Sequence, residues 1–141
     1  MSIYIANEEE MPIVFDIRKN VFVQEQHVPI EIELDEFEDD SIHFICYHEK
    51  QAVGASRLRF MEDFGKLERI CVLKEYRGKS LGKQLISQME SEIHRQGYTK
   101  SKLNAQTHAI SFYEGLGYKV VSDEFMDAGI PHVTMIKSIT N

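Results

Sequence analysis

From Leu67 to Lys83 the chain reads Leu-Glu-Arg-Ile-Cys-Val-Leu-Lys-Glu-Tyr-Arg-Gly-Lys-Ser-Leu-Gly-Lys, a stretch whose residue types suit the holding of an anion. Gly78 and Gly82 leave no side chain between backbone and ligand, while Arg77, Lys79 and Lys83 bring positive charge. A helix opening directly behind such a turn presents unpaired, partly positive N–H groups, and a phosphate fits there. Spacing excludes two common phosphate loops. The G-x-x-x-x-G-K-S/T pattern is absent, because Gly78 and Gly82 are four apart and Lys83 is followed by Gln84; G-x-G-x-x-G is absent too. The competing reading is a plain strand-to-helix connection whose basic residues face water.

A strand must deliver this turn and a helix must leave it. Leu67, Ile70, Cys71, Val72 and Leu73 form an apolar, β-rich run ahead of it. Behind it Leu81, Leu85, Ile86, Met89 and Ile93 recur at helical spacing, Arg95 sits in the last turn and Gly97 is a natural stop, so a helix is predicted from Leu81 to Gln96. Upstream, a strand over Ser2 to Ala6 runs into Asn7 with Glu10 three residues on, the pattern of a capping box. Val14, Ile17 and Val21 then mark one face of a helix from about Glu8 into Phe22, and Val21 to Pro29 is expected to cover the core edge and wall a substrate. Ile42 to His48 and Ala52 to Phe60 flank the turn Glu49-Lys50-Gln51 as a hairpin, and Glu62 to Gly65 turns into the central strand. Downstream come a strand over Lys100 to Asn104, a helix over Thr107 to Gly115, and strands over Tyr118 to Ser122 and His132 to Ile139.

The 141 residues, 43% of them hydrophobic, suffice for one cored domain spanning 1–141, with no internal repeat. No apolar run approaches the roughly 20 residues that cross a bilayer, and the opening Met-Ser-Ile-Tyr-Ile-Ala lacks a signal-peptide pattern, so a cytoplasmic location without membrane contact is expected. A net charge of −7 argues against nucleic acid as a partner. The six histidines show no metal-ligand spacing, and no metal is expected. Cys46 and Cys71 lie in apolar runs without C-x-x-C spacing and read as buried free thiols, although Cys71 could sit near a bound thioester.

Leu103 to Tyr118 is the second informative stretch. There Asn104-Ala105-Gln106 is followed by A-x-x-F-Y-x-x-x-G-Y from Ala109 to Tyr118. This closely resembles the second coenzyme A-contacting motif of the GNAT-type N-acetyltransferases, and Arg77 to Gly82 resembles the R/Q-x-x-G-x-G/A pyrophosphate loop of the same superfamily. Ser80 departs from that loop, standing where its first glycine belongs. The N-terminal V-F-V-x-E-Q-x-V, the acidic loop and Asp127-Ala128-Gly129-Ile130-Pro131-His132 resemble the small bacterial ElaA-like branch, so the resemblance covers nearly the whole chain. R-G-K-x-L-G-K is also similar to glucosamine-6-phosphate N-acetyltransferases, which keeps an amino-sugar acceptor open.

The resemblance implies a mixed α/β (α+β) GNAT-like domain: a central, mostly antiparallel sheet of six to seven strands flanked by helices and splayed at the central strand to admit acyl-CoA. It implies an N-acetyltransferase that moves acetyl from acetyl-CoA, its cosubstrate, to a primary amine of a small molecule or peptide by direct attack on the thioester. A non-catalytic acyl-CoA-binding or sensing module is the alternative. The pantetheine arm would add as a strand along Ile70, Cys71 and Val72, with a backbone N–H near Val72 stabilising the oxyanion. Arg77, Gly78, Lys79, Ser80, Leu81, Gly82 and Lys83 would hold the pyrophosphate. Tyr113 occupies the general-acid position, protonated at neutral pH and at the edge of its helix's apolar stripe; packing in an aromatic pair with Phe112 is its competing role. Asn104 would hold the pantetheine amide or cap a turn. Glu68, on the face of Ile70 and Val72 by strand alternation, is the first candidate base, with an ion pair to Arg57 or Arg59 as its other reading. His132 is the second, in the acceptor region. Glu31 to Asp40, rich in carboxylates, is a solvated loop or an acidic lip, Glu36 included, that draws in the amine. Either a monomer or a homodimer fits.

Overall fold

Asn7 ends the first strand and starts the first helix in one step. Its Oδ1 accepts the Glu10 N–H at 3.0 Å while Glu10 Oε1 accepts the Asn7 N–H at 3.1 Å, the reciprocal capping box that the sequence announces. In the computed structural model, which describes residues 1–139, strand β1 (Ser2–Ile5) leads through a 3-10 turn into helix α1 (Met11–Arg18). The predicted helix to Phe22 then widens into a π-helical stretch, Lys19–Glu25. Each π turn takes in an extra residue, so the stripe that faces the core at Val14, Ile17 and Val21 gives way to one that turns Phe22 and Gln26 toward the sheet's central gap. A short helix α2 (Ile30–Glu33) follows.

Strands β2 (Ile42–His48), β3 (Gln51–Met61) and β4 (Phe64–Val72) form the expected antiparallel meander. The β2–β3 turn is only Glu49-Lys50, both at positive φ (51° and 69°), the backbone of a two-residue hairpin turn. Helix α3 (Leu81–Arg95) packs on one face of the sheet, burying Leu81, Leu85, Ile86, Met89 and Ile93 against Leu58, Leu67, Leu103 and Met135. Gly65 is obligatory under it, since a Cβ there would lie 2.5 Å from Ile93 Cγ1. Helix α1 and the π-helical stretch cover the opposite face with Val14, Ile17 and Val21 on Ile45, Ala55 and Cys71.

The chain closes with β5 (Lys100–Gln106), helix α4 (Ile110–Glu114) behind a 3-10 turn, β6 (Lys119–Val120), β7 (Phe125–Asp127) and β8 (Ile130–Ser138). Strand order is β1-β2-β3-β4-β5-β8-β6, with β7 also on β8. The sheet therefore has eight strands rather than six to seven, because the connection between the last expected strands contains β7. All pairings are antiparallel except β4–β5. That pair is joined only at Gly65–Ser101, Lys66–Lys102 and Leu67–Leu103, after which the two strands part. No helix of the described residues is long and apolar enough to cross a membrane.

Candidate active site

The parting of β4 from β5 begins at one residue. Arg69 has φ +55°, and the β3–β4 register shifts between Ala55 and Arg57, so two residues of β4 oppose Ser56. This is a β-bulge, and it exchanges the faces of the strand. Ahead of it Leu67 packs under α3; beyond it Cys71 packs under α1 while Ile70 and Val72 turn to the α3 side. Glu68 opposes Arg57 and so lies on the other face from Ile70 and Val72, a correction to strand alternation, which assumes an unbroken pleat. Cys71 is buried on the α1 face with its thiol pushed up to about 12 by burial, its Sγ 3.6 Å from Ala55 O, so its side chain does not reach the gap. The backbone is different. Leu73 N–H donates to Val53 O at 2.8 Å, and alternation then turns the N–H and C=O of Val72 away from β3 toward the open side. Arg77 Nε occupies that carbonyl at 2.9 Å.

Between the parted strands lies a cleft of about 320 Å³, walled by Phe22, Gln26 and Val28 from the segment after α1 and by the β7–β8 hairpin. Gln106 Nε2 donates to Gln26 Oε1 at 3.0 Å, tying that wall to β5. Tyr113 lines the cleft from α4. Burial pushes its phenol up to about 12, its hydroxyl makes no hydrogen bond among the described residues, and its ring packs edge-on against Phe112 and Tyr118. It is a protonated phenol on the cleft wall. Asn104 caps nothing; it sits within β5, its Oδ1 accepting from Thr134 Oγ1 at 2.9 Å, which leaves its NH₂ group free for the cleft. His132 Nδ1 is 2.7 Å from Ile130 O, so the neutral ring carries its proton there and turns a lone pair outward at Nε2. His132 and Tyr113 line the same cleft.

Glu68 also lines it, but in the role of an ion-pair partner. Burial would raise its carboxyl, yet the Arg59 hydrogen bond at 2.7 Å and the charges of Arg57 and Lys66 outweigh this and hold it down to about 2. A carboxylate that acidic is a weak base for an ammonium proton. The acidic segment is solvated in part and paired in part: Glu31, Glu36, Asp39 and Asp40 are exposed, whereas Glu33, Asp35 and Glu38 are held by buried arginines. Arg18, fully buried, binds Glu33 at 2.7 Å and Glu38 at 2.8 Å, and Arg57 binds Asp35 and Glu38 at 2.7 and 3.0 Å. Arg69 adds bonds to the carbonyls of Ile32 and Glu33. Glu36 is exposed and does not line the cleft. Nothing in the sequence marks Arg69 as a bulge residue or pairs Arg18 with carboxylates so far along the chain.

At the other end of β4, Gly78 and Ser80 both take positive φ, 82° and 63°, ahead of α3. Ser80 thus adopts the left-handed backbone that favours the glycine it replaces. Cβ atoms at Gly78 or Gly82 would meet nothing within 4 Å, so no internal contact requires either glycine. Lys79 and Lys83 are exposed and make no ion pair among the described residues, whereas Arg77 grips Glu25 through both terminal nitrogens at 2.6 and 2.7 Å. No group of His, Cys, Asp and Glu among the described residues is placed to hold a metal.

A family model described as an acetyltransferase (GNAT) domain matches residues 6–139. The chain is 44% identical over 137 residues to the uncharacterized N-acetyltransferase YjcF of Bacillus subtilis (strain 168), covering 96% of this chain and 98% of that one. ElaA of Escherichia coli (strain K12) is 28% identical over 131 residues, 89% of this chain and 86% of its own length. The crystal structure of an acyl-CoA N-acyltransferase from Pseudomonas aeruginosa superposes with a TM-score of 0.84 at 25% identity, covering 96% and 97% of the two chains.

Proposed function

The chain belongs to the GNAT acetyltransferase family, and from that premise we propose that it transfers acetyl from acetyl-CoA to a primary amine of a small molecule or peptide held in the β4–β5 cleft. The observation that carries this reading is the end of β4–β5 pairing at Leu67–Leu103, which leaves an unpaired strand edge beside a protonated phenol and a free imidazole nitrogen. The pantetheine arm lies along Ile70, Cys71 and Val72 as an added strand, its amide held by Asn104. The pyrophosphate rests on the turn Arg77 to Lys83, with the N–H groups at the start of α3 and the ammonium groups of Lys79 and Lys83 facing it.

The chemistry follows from the groups around the thioester. The neutral amine attacks the carbonyl carbon, and the carbonyl oxygen becomes an oxyanion that accepts the Val72 N–H. The C–S bond then breaks, and Tyr113 gives its phenolic proton to the departing thiolate of CoA. The proton lost by the amine passes to His132 Nε2 rather than to Glu68, whose arginine partners keep it a poor acceptor. Glu68 instead fixes Arg57 and Arg59 beneath the cleft.

The test is release of free CoA from acetyl-CoA across amines, amino sugars, polyamines and peptides. Release that requires an acceptor is expected. Acetyl-CoA binding without release in the presence of any amine would overturn transfer in favour of a binding module.

A further inference from the structure

Three carboxylates line the cleft, Glu33, Glu68 and Asp127, and two of them are neutralised from within. Glu33 takes Arg18 at 2.7 Å, and Glu68 takes Arg57, Arg59 and Lys66 at 2.9, 2.7 and 3.3 Å. The cations of the lining are engaged as well, Lys66 by Glu68 and Arg69 by Asp35 at 3.4 Å. Asp127 alone stands apart. It is exposed, and among the described residues its carboxylate makes no ion pair and accepts no hydrogen bond. The β7–β8 register pairs Phe125 with His132 and Asp127 with Ile130, so these four share one face of the hairpin, and Asp127, Ile130 and His132 all border the cleft. A two-residue turn, Ala128 and Gly129 at φ 51° and 77°, fixes that register.

We propose that Asp127 selects the acceptor by binding a second cationic group on it, so that the substrate class is a small molecule with two or more amines. This rests on the amine-acceptor reading above. The register separates the two positions: Asp127 and His132 are diagonal neighbours on one face of the hairpin, roughly 7–8 Å apart along the backbone, so one nitrogen of the acceptor meets His132 and a different one meets Asp127. The reacting nitrogen must be neutral, whereas the nitrogen at Asp127 stays an ammonium. A monoamine reaches only one of the two positions. Since Asp127 is exposed, its preference is modest, about two- to fivefold, and screened by salt.

The experiment compares kcat/KM, read by CoA release, for a series of α,ω-diaminoalkanes against the 1-aminoalkanes of matching length, in the wild type, Asp127→Asn and Asp127→Glu. The wild type is expected to favour the best diamine by about two- to fivefold beyond the statistical gain of two equivalent nitrogens. Asp127→Asn should bring the ratio down to that statistical value, Asp127→Glu should retain most of it, and 1 M salt should shrink it. A ratio that is already statistical in the wild type, or one that survives Asp127→Asn, overturns this role and leaves amine acetylation standing. If acetyl-CoA binds by calorimetry but no amine of either series drives CoA release, the amine-acceptor reading itself falls.

Discussion

Tyr113 and Glu68 show how the same cleft sorts its ionisable groups. The phenol is buried without a charged neighbour, so only desolvation acts and it keeps its proton. The carboxyl is buried among arginines and a lysine, so it loses its proton and cannot readily take another. One group keeps its proton and the other gives it up. Tyr113→Phe keeps the ring and its packing on Phe112 and Tyr118 while removing the donor, and kcat should fall by ~10² to 10⁴ with acetyl-CoA affinity held within a factor of about two. Pre-steady-state turnover and calorimetry check the two halves; a loss of kcat below about threefold when chemistry limits would leave the proton to solvent. That Tyr113 and Asn104 would share one cleft was legible, because their motif fixes spacing within one strand and one short helix. The face of Glu68 was not, because period-2 alternation has no way to register a left-handed arginine at position 69.

At the scale of elements, two irregularities build the site: the π-helical stretch Lys19–Glu25, which wheels Phe22 and Gln26 toward the cleft, and the bulge at Arg69, which parts β4 from β5. Local periodicity found both host elements but treated each as regular, since a π turn and a bulge each add a residue that tertiary packing, not propensity, stabilises. The acidic segment is the parallel case. Its carboxylates read as solvated or steering charge, yet their partners Arg18 and Arg57 lie on other elements and are buried at 0% and 1% exposure. Removing the shared cation leaves each carboxylate with its remaining partner, Glu38 with Arg18, Asp35 with Arg69 and Glu68 with Arg59 and Lys66. Arg57→Ala should therefore cost about 3 kcal/mol in urea unfolding, while Glu36→Gln on the exposed side should change stability by no more than about 0.5 kcal/mol. Equal, small effects from the two variants would mean that the network contributes little to holding the segment.

Over the whole molecule, these buried pairs dictate how the fold responds to acid. Burial opposes ionisation at both Asp35 and Glu68, but the arginine hydrogen bonds and charges prevail and bring each down to about 2 from ordinary values of 3.8 and 4.5. A carboxyl whose value is depressed on folding stabilises the fold at every pH above its unfolded value, and that contribution disappears as pH falls through the folded one. The loss therefore falls between about pH 4.5 and pH 2. Both groups belong to one network around Arg57, so protonating either weakens the hold on the segment that walls the cleft. With no tryptophan and six tyrosines, the chain reports its tertiary packing through tyrosine near-ultraviolet circular dichroism. Urea unfolding followed that way should give a stability that declines first below about pH 6.5, where the unfolded chain protonates His43 and burial keeps the folded one from doing so, and then falls more steeply below about pH 5 with the uptake of at least two protons, roughly 1.4 kcal/mol per pH unit for each. Glu68→Gln should remove one proton from that slope whatever its effect on stability at neutral pH. An unchanged slope in this variant would mean that Glu68 titrates alike in the folded and unfolded chain, and that its arginine partners do not hold it in the charged form.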